Sequence, residues 1–477
     1  MIRDSREVSR REFLKLAGIA GAAVGLGAGL GGVVAACGGT EETTTTAAPS
    51  TTTTAAASTT TAAPTTTTAG TEAGREIKIG YVAPITGNLA IFGVADQYCF
   101  DRAKAALADG LVCGDGKKHP VTLELQDGQS DTNRAAQVAG DLINNSKVDM
   151  LLAASTGTNV DPVADQAEAN KVPCLSTDCP WQNYIIPRGG DLKTVWKYTY
   201  NAFWGTEDLL ATFEDMWSQV STNKKVGVLL PNDALGIPWM EAFKPAIPAA
   251  GWTATFSDLY TVGNEDFTSV IGTYKKVGVE IMFCEGNPGD FATFWKQCLQ
   301  QGFKPKLCTP AVALAFPEGA QALGDLAVNM CGELGWHPQS GFKSALLGED
   351  AQTFADTFTK NTGKQWNQSL CHFLTFDWAA DVLKRATNID DKEAIMTAVK
   401  ATKLDTIAGP IDFTAAISAP TVGAARISEN CCKTPLFGNQ WRKAASGSQF
   451  AFEATIVSNV AGKMVPVQDK VKEMVYS

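Results

Sequence analysis

A cluster of hydroxyl side chains follows one of the most apolar runs of the chain. Ser155-Thr156-Gly157-Thr158-Asn159 lies between the run Met150–Ala154 and a helical stretch. We expect that helix to start near Asp161-Pro162, since Asp followed by Pro suits a helix N-cap and first position. Hydroxyl groups beside a helix N-terminus suit a carboxylate, because exposed backbone N–H groups and the helix dipole both favour an anion. The same residues also suit an ordinary turn.

A second polar loop follows the strand-like run Val172–Leu175 and contains Thr177, Asp178 and Trp181. The carboxylate of Asp178 could hold an ammonium group, and it could equally cap a turn. Trp181 and Trp204 both lie among polar loop residues. Each could therefore line a binding cleft or pack in the core.

The motifs of common catalytic and metal sites are missing from the sequence. It has no G-x-S-x-G, H-E-x-x-H or G-x-x-x-x-G-K-[ST] pattern, no C-x-x-C pair, and only 3 histidines. Few histidines leave little supply of general bases. We therefore expect no enzyme activity, no metal site and no cofactor.

The elements that must position the polar loops alternate between strands and helices. Strand-like runs such as Ile77–Val82, Val121–Leu125 and Lys225–Leu230 are separated by segments with the apolar spacing of helices. This alternation predicts βαβ units and parallel sheets covered on both faces. The rhythm restarts after Thr194–Tyr200, so we expect an α/β fold with two open sheets. In such sheets, ligands bind beyond the carboxyl ends of the strands.

The first 74 residues predict export and a tether. Ser9–Lys15 carries the paired arginines of a twin-arginine signal, and the apolar run Leu16–Ala36 follows it. Val34–Gly38 resembles a bacterial lipobox, in which Cys37 is the lipidated residue, so residues 1–37 form the signal. Residues 38–74 lack large apolar side chains and cannot offset the entropy of ordering, which predicts a disordered linker. We expect a chain anchored by lipid on the outer face of the bacterial cytoplasmic membrane.

Charge and cysteine content bear on partners and on covalent structure. The formal net charge of −10 argues against binding to nucleic acid. Export provides a disulfide-permissive setting for the cysteines that follow Cys37. From proximity in the sequence, we predict that Cys99 pairs with Cys113 and that Cys174 pairs with Cys179.

Several motifs, in the same order, resemble the branched-chain amino-acid (Leu/Ile/Val)-binding proteins over residues 75–470. They are Ile79–Ala90, Leu125–Asp131, Pro231–Gly236, Asp266-Phe267-Thr268, Gly302-Phe303-Lys304, Gly363-Lys364 and Asp405–Phe413. The resemblance implies a type I periplasmic-binding fold, in which two Rossmann-like lobes joined by a hinge close on a ligand. It implies a lobe 1 of residues 75–198 and 332–450, and a lobe 2 of residues 199–331 and 451–477.

The resemblance also implies roles for individual residues. The loop with Ser155, Thr156 and Thr158 would grip the ligand carboxylate, and the loop with Thr177 and Asp178 would bind its polar groups. The remaining candidates are cleft-lining aromatic residues and two polar residues of lobe 2, namely Phe92, Trp181, Trp204, Glu285 and Asn287.

One position departs from the family pattern. The amino-acid binders place an acidic residue after a lobe 2 strand to pair with the ligand ammonium, whereas the matching stretch Thr309–Ala313 has none. A charge moved into a closed cleft needs a partner. Either Asp178 or Glu285 replaces the missing carboxylate, or the ligand has no ammonium group.

The function implied by the resemblance is that of the solute-binding protein of an ABC importer. Such a protein would capture a small carboxylate or amino-acid-like ligand and deliver it to the importer's membrane subunits, and we expect it to be a monomer. The alternative is a ligand sensor of the same fold that passes its state to a separate signalling protein.

Overall fold

The structure, a computed structural model, describes residues 71–233, 236–415, 417 and 428–476. The export signal, Cys37 and the linker up to residue 70 lie outside the described residues. The last residues of the expected linker are not disordered, because the Lys118 N–H donates to the Glu72 carbonyl at 2.7 Å and the Gly74 N–H donates to the Lys118 carbonyl at 2.9 Å. None of the described helices is both long and apolar enough to cross a membrane.

The strands of the described part are short and mostly buried. They are β1 (Ile77–Ala83), β2 (Leu111–Val112), β3 (Lys118–His119), β4 (Val121–Asp127), β5 (Met150–Ala153), β6 (Cys174–Thr177), β7 (Thr199–Ala202), β8 (Lys225–Leu229), β9 (Thr253–Phe256), β10 (Ile281–Cys284), β11 (Leu307–Thr309), β12 (Cys331–Leu334), β13 (Lys403–Thr406), β14 (Gly409–Asp412), β15 (Cys431–Cys432), β16 (Leu436–Lys443) and β17 (Phe452–Ala461).

The α-helices of the described part lie between these strands along the chain. They are α1 (Ala90–Gly93), α2 (Asp96–Ala106), α3 (Thr132–Asp141), α4 (Thr156–Ala169), α5 (Trp181–Ile185), α6 (Thr206–Ser218), α7 (Gly236–Ala249), α8 (Thr268–Val277), α9 (Pro288–Gln300), α10 (Pro317–Leu323), α11 (Ala351–Thr362), α12 (Leu374–Arg385) and α13 (Lys392–Lys400).

The first sheet has the strand order β15-β7-β6-β5-β1-β4, and its strands run parallel. Both of its faces are covered, since Tyr81 and Val82 of β1 lie in two different core clusters. The strand order reverses at β1, which is flanked by β4 and β5. A reversal of this kind opens a crevice at the carboxyl ends of the strands, where ligands bind in open α/β sheets.

The second sheet has the order β11-β10-β8-β9 and is also parallel. Its order reverses at β8, so its crevice lies beyond the carboxyl ends of β8 and β10. The prediction of two successive parallel α/β sheets is therefore confirmed.

A third, antiparallel sheet joins β12, β16 and β17. We expected residues 332–450, and with them most of β12 and all of β16, to belong to lobe 1. Leu334 and Trp441 of this sheet instead share a core cluster with Met282 and Trp295 beside the second sheet. Strand β7, which we expected to open lobe 2, pairs with β6 in the first sheet. We therefore propose that lobe 1 includes β7 and that lobe 2 includes β12 and β16.

The predicted disulfides are wrong, because all the cysteines of the described residues are free and buried. Cys99 lies on α2 with its thiol towards the carbonyl of Leu370 at 4.0 Å, and the Cys113 thiol points to the carbonyl of Leu111. Cys174 begins β6, whereas the Cys179 thiol lies 3.9 Å from a carboxylate oxygen of Asp161. Nearness in the sequence did not bring either pair of side chains together.

Candidate functional site

The segment Ser155–Asn159, called the hydroxyl loop below, lies at the crevice of the first sheet, directly after β5. The helix α4 begins at Thr156, so the predicted start at Asp161-Pro162 is wrong, and Pro162 lies inside the helix. Asp161 does not cap the helix; burial raises its pKa well above the usual range, against the opposing charge of Arg188. The helix therefore presents Ser155 and Thr156, not Asp161, at its N-terminus.

Two hydroxyl groups at this helix start are buried without a partner. Ser155 is 0% exposed, and among the described residues neither Ser155 Oγ nor Thr156 Oγ1 has a hydrogen-bond partner. Buried polar groups are nearly always paired, so an unpaired donor in a crevice indicates a ligand position. The helix N-terminus beside these hydroxyls favours an anion.

The backbone around the crevice adopts left-handed conformations that side chains disfavour. The φ angles are +73° at Ser155, +63° at Thr156 and +56° at Asp178. Each costs about 1–2 kcal/mol for a residue with a side chain. Such strain concentrates at functional sites, where the surrounding structure holds it in place. Here the Thr156 N–H donates to the carbonyl of Asp178 at 2.7 Å, which ties the two loops together.

A buried network of charged side chains supports the loop that contains Thr177 and Asp178. His372 is 0% exposed, and its ring nitrogens Nδ1 and Nε2 each lie 2.8 Å from a carboxylate oxygen, of Asp96 and Asp178 respectively. The Tyr81 hydroxyl donates to Asp96. Burial alone would lower the pKa of His372, but the two carboxylates raise it to about 10. His372 is therefore an imidazolium cation, and its bond to Asp178 positions the loop at the crevice.

Two of the expected ligand contacts in lobe 1 are occupied by protein groups. The Thr177 hydroxyl donates to the carbonyl of Ala202 at 2.8 Å. The Trp181 indole N–H donates to Glu207 at 2.9 Å, and the side chain is 1% exposed. Through these contacts, both side chains help to hold the loop in place. Thr158 lies half-buried in the first turn of α4.

The Trp204 indole differs from that of Trp181, because its N–H is buried without a partner among the described residues. A Cβ built on Gly335 would lie 3.3 Å from Trp204 Nε1, so this donor lies beside the end of β12.

Glu285 and Asn287 follow β10, at the crevice of the second sheet. Asn287 caps α9, since its Oδ1 accepts from the Asp290 N–H at 2.9 Å. Glu285 is 2% exposed, and its Oε2 lies 3.5 Å from the Val312 N–H. Its Oε1 has no partner among the described residues. The structure thus makes Asn287 a helix cap and leaves Glu285 with an unpaired carboxyl oxygen.

Phe92 joins the two crevices. Its ring contacts that of Phe316 edge to face at a centroid distance of 4.8 Å. Phe92 follows β1 of the first sheet, and Phe316 follows β11 of the second. The two rings and Ala315 form a small apolar cluster of their own. This contact therefore brings the segment after β1 against the segment after β11.

Metal chemistry has no support within the described residues, where no group of three or more His, Cys, Asp or Glu side chains is placed to hold a metal ion.

Comparison with known proteins agrees with this arrangement. A family model described as "Periplasmic binding protein" matches residues 76–427. The chain belongs to this family. The Leu/Ile/Val-binding protein homolog 3 of Brucella melitensis is 27% identical over 211 residues, which are 44% of this chain and 54% of that protein. BraC3 of Rhizobium johnstonii, also named a Leu/Ile/Val-binding protein, is 25% identical over 213 residues, with the same two shares. The match thus spans about half the length of these curated relatives.

Solved structures of periplasmic binding proteins share the fold. The leucine-binding protein LivK of Thermotoga maritima has a TM-score of 0.62 at 18% identity, covering 80% of this chain and 99% of that one. LivJ of Streptococcus pneumoniae, solved with isoleucine, gives 0.62 at 16%, with the same coverage. A solute-binding protein of R. palustris, solved with 4-hydroxybenzoate, gives 0.61 at 15%, covering 80% and 96%. The predicted type I periplasmic-binding fold with two lobes is confirmed.

Proposed function

We propose that this periplasmic binding protein is the solute-binding component of an ABC importer. It captures a small carboxylate or amino-acid-like solute between its two lobes and delivers it to the membrane subunits of the importer. It has no catalytic role. The observation that carries the proposal is the pair of buried, unpaired hydroxyls of Ser155 and Thr156 at the start of α4. They lie where the strand order of the first sheet reverses.

The names of the relatives support this class of solute. Two relatives are named Leu/Ile/Val-binding proteins, and one solved neighbour holds isoleucine, an α-amino acid. Another holds 4-hydroxybenzoate, a carboxylate without an amine. These solutes have a carboxylate in common, which is the group that the Ser155–Thr156 loop suits.

The place of action follows from the family and from the N-terminal sequence. Periplasmic binding proteins act outside the cytoplasmic membrane. We propose that the twin-arginine signal directs export and that a lipid on Cys37 anchors the protein as a monomer. The linker that precedes Glu72 would allow it to reach the importer.

Thermal unfolding of the purified protein tests the proposed function. The panel comprises α-amino acids, their 2-oxo acids and aromatic acids, with amines that lack a carboxylate as controls. A solute at about 100 times its dissociation constant adds about 2.7 kcal/mol to the free energy of unfolding, which raises the Tm by several degrees. We expect stabilisation by carboxylate solutes only. Stabilisation by amines alone would contradict the proposal.

A further inference from the structure

We propose that Glu285 and Glu333 together bind the ammonium group of an amino-acid-like solute and release a proton when it binds. This inference rests on the proposed function and deepens it, because it names the chemistry of the solute's second end.

The two carboxyl groups flank Ala311 at one edge of the second lobe. Phe283 of β10 is paired in register with Thr309 of β11, and the next side chains on the same face are Glu285 and Ala311. Strand β12 lies beside β11. On β12, Leu334 points into the core cluster that also contains Met282. Its neighbour Glu333 therefore points to the opposite face of the strand. Because Ala311 has only a methyl group, the two longer side chains can approach each other across it.

Both carboxyl groups are buried and incompletely paired. Glu285 is 2% exposed and Glu333 is 3% exposed. Oε1 of Glu285 and Oε2 of Glu333 have no hydrogen-bond partner among the described residues. A buried charge without a partner is costly. Each orphaned oxygen therefore needs either a proton or a cation supplied by a solute.

Among the described residues, neither carboxyl oxygen of Glu285 has a cationic partner. The groups that face it are Glu333 on β12, Asp233 after β8 and the Tyr260 hydroxyl, which lies 3.4 Å from the Glu285 carbonyl. Burial first, and then the charge of Glu333, raises the pKa of Glu285 well above its usual range. Burial raises the pKa of Glu333 to about 8. Glu333 is therefore mainly protonated in the empty protein near neutral pH, and the charged form of Glu285 is disfavoured.

A separate donor beside β12 indicates the position of the solute. The unpaired indole N–H of Trp204 lies next to Gly335, two residues after Glu333. It suits an acceptor atom of the solute. In the proposed site, Glu285 and Glu333 supply acceptors for a cation, and Trp204, Ser155 and Thr156 supply donors for an anion. An α-amino acid carries both groups.

Asp178, the other candidate to replace the missing carboxylate, already has a cationic partner within the protein. Its Oδ2 is bonded to the His372 imidazolium at 2.8 Å. This contact supplies the positive partner that the Glu285–Glu333 pair lacks.

The proton balance of the proposed step is simple. The empty site holds a neutral carboxyl group. The solute arrives with its ammonium already protonated, the carboxyl O–H bond breaks, and the proton passes to solvent. The carboxylate then accepts a hydrogen bond from the ammonium. One proton is released for each solute bound.

Isothermal titration calorimetry with the full chain tests this inference. Each of the common α-amino acids is compared with its 2-oxo acid, which has the same side chain and carboxylate but no ammonium. Measurements at pH 7 in two buffers of different ionisation enthalpy give the number of protons released. We expect one or more amino acids to bind at least about 10-fold more tightly than the matched oxo acid, because a hydrogen bond between charged groups is lost. We expect about one proton to be released.

The variants Glu285→Gln and Glu333→Gln separate this role from a structural one. Glutamine is isosteric with the protonated acid, so each variant should fold. Each should lose at least about 10-fold in affinity for the amino acid and release fewer protons, while affinity for the oxo acid stays unchanged. Glu318→Gln, at an exposed position of α10, is the matched control and should behave as the wild type.

Two results would overturn the inference while leaving the proposed function intact. One is an oxo acid that binds as tightly as its amino acid, and the other is amino-acid binding without proton release. Absence of binding by both classes of carboxylate would overturn the inference and the proposed function together.

Discussion

His372 shows how a single residue can stabilise a strained binding loop. Its imidazolium lies between two carboxylates with no exposure to solvent, and one of these carboxylates belongs to Asp178, whose backbone has a φ of +56°. Removing the cation would leave Asp96 and Asp178 as buried anions without compensation. The position of Asp178, and through its carbonyl that of Thr156, therefore depends on His372.

We predict that His372→Gln lowers the free energy of unfolding by about 3–5 kcal/mol, the usual cost of breaking a buried ion pair. A pKa raised from its ordinary value to about 10 gives stability that is fully present below pH 6.5 and is lost as the pH rises through about 10. Thermal unfolding between pH 7 and 10 should therefore show a steeper fall for the wild type than for the variant.

His337→Gln is the matched control for this experiment. His337 is also buried, but burial lowers its pKa to about 4, so it is neutral throughout that pH range. Its variant should follow the pH dependence of the wild type. Parallel curves for the wild type and His372→Gln would contradict the ionic role of His372.

We also predict that Thr156→Val weakens carboxylate binding by about 10-fold, because it removes a hydroxyl donor to a charged group with little change in volume. Titration calorimetry with a stabilising solute measures this loss. Thr273→Val removes a hydroxyl that bonds to the Ser269 carbonyl on the exposed face of α8 and should leave the affinity unchanged. Equal affinity of Thr156→Val and the wild type would show that the hydroxyl loop is not part of the binding site.

At the scale of elements, the side chain of Asn159 ties the start of α4 to the first sheet. Asn159 is 2% exposed, and its Nδ2 donates to the carbonyls of Val82 at 2.9 Å and Ala154 at 2.8 Å. These bonds connect the first turn of α4 with the ends of β1 and β5. They fix the helix N-terminus at the crevice.

We predict that Asn159→Ala lowers the free energy of unfolding by about 2–4 kcal/mol, because two buried carbonyl oxygens lose their donor. Urea denaturation measures the change. Asn170→Ala, which removes a bond to the Gln166 carbonyl on the exposed end of the same helix, should cost less than about 0.5 kcal/mol. Similar costs for the two variants would show that the tie to the strands does not stabilise the fold.

The elements were largely predictable, because their signals are local. The strand predicted for Ile77–Val82 is β1, Ile77–Ala83, and the one predicted for Lys225–Leu230 is β8, Lys225–Leu229. The start of α4 was not predictable, since Asp161-Pro162 resembles a helix start while the real one has a positive φ at the N-cap Ser155 and at the first helical residue, Thr156. Tertiary packing imposes that conformation against the local preference.

Parts of the site depend on contacts between distant residues. His372 reaches Asp178 across 194 positions, and no local pattern indicates such a pair. Glu333 did carry a signal, because it is a charged residue in the otherwise apolar run Cys331–Leu334. An isolated carboxyl in a buried strand is rare unless it is paired. Trp181 and Asn287 were chosen for their loop positions and serve as supports.

At the scale of the whole molecule, the proposed function depends on two lobes that close over a solute. The contact of Phe92 with Phe316 joins loops of the first and second sheets. In a protein with two lobes, hinge motion shifts the population of molecules between an open and a closed state. A contact formed between the lobes favours the closed state and so raises the apparent affinity for a solute held between them.

We predict that Phe92→Ala raises the apparent Kd by about 2- to 10-fold, because an aromatic pair contributes about 0.5–1.5 kcal/mol beyond its buried area. Small-angle X-ray scattering at saturating solute should show that the variant still closes. Ile186→Ala, at a residue that is 61% exposed, is the control and should keep the affinity of the wild type. An unchanged Kd for Phe92→Ala would show that this contact does not contribute to closure.

A crystal structure with the amino acid that most stabilises the protein is the most direct test of solute capture in this cleft. The carboxylate should lie within hydrogen-bond distance of the hydroxyls of Ser155 and Thr156, with the ammonium between Glu285 and Glu333. Solute found only outside the cleft, for example in the surface groove lined by Asn232, Met240 and Lys244, would contradict the account.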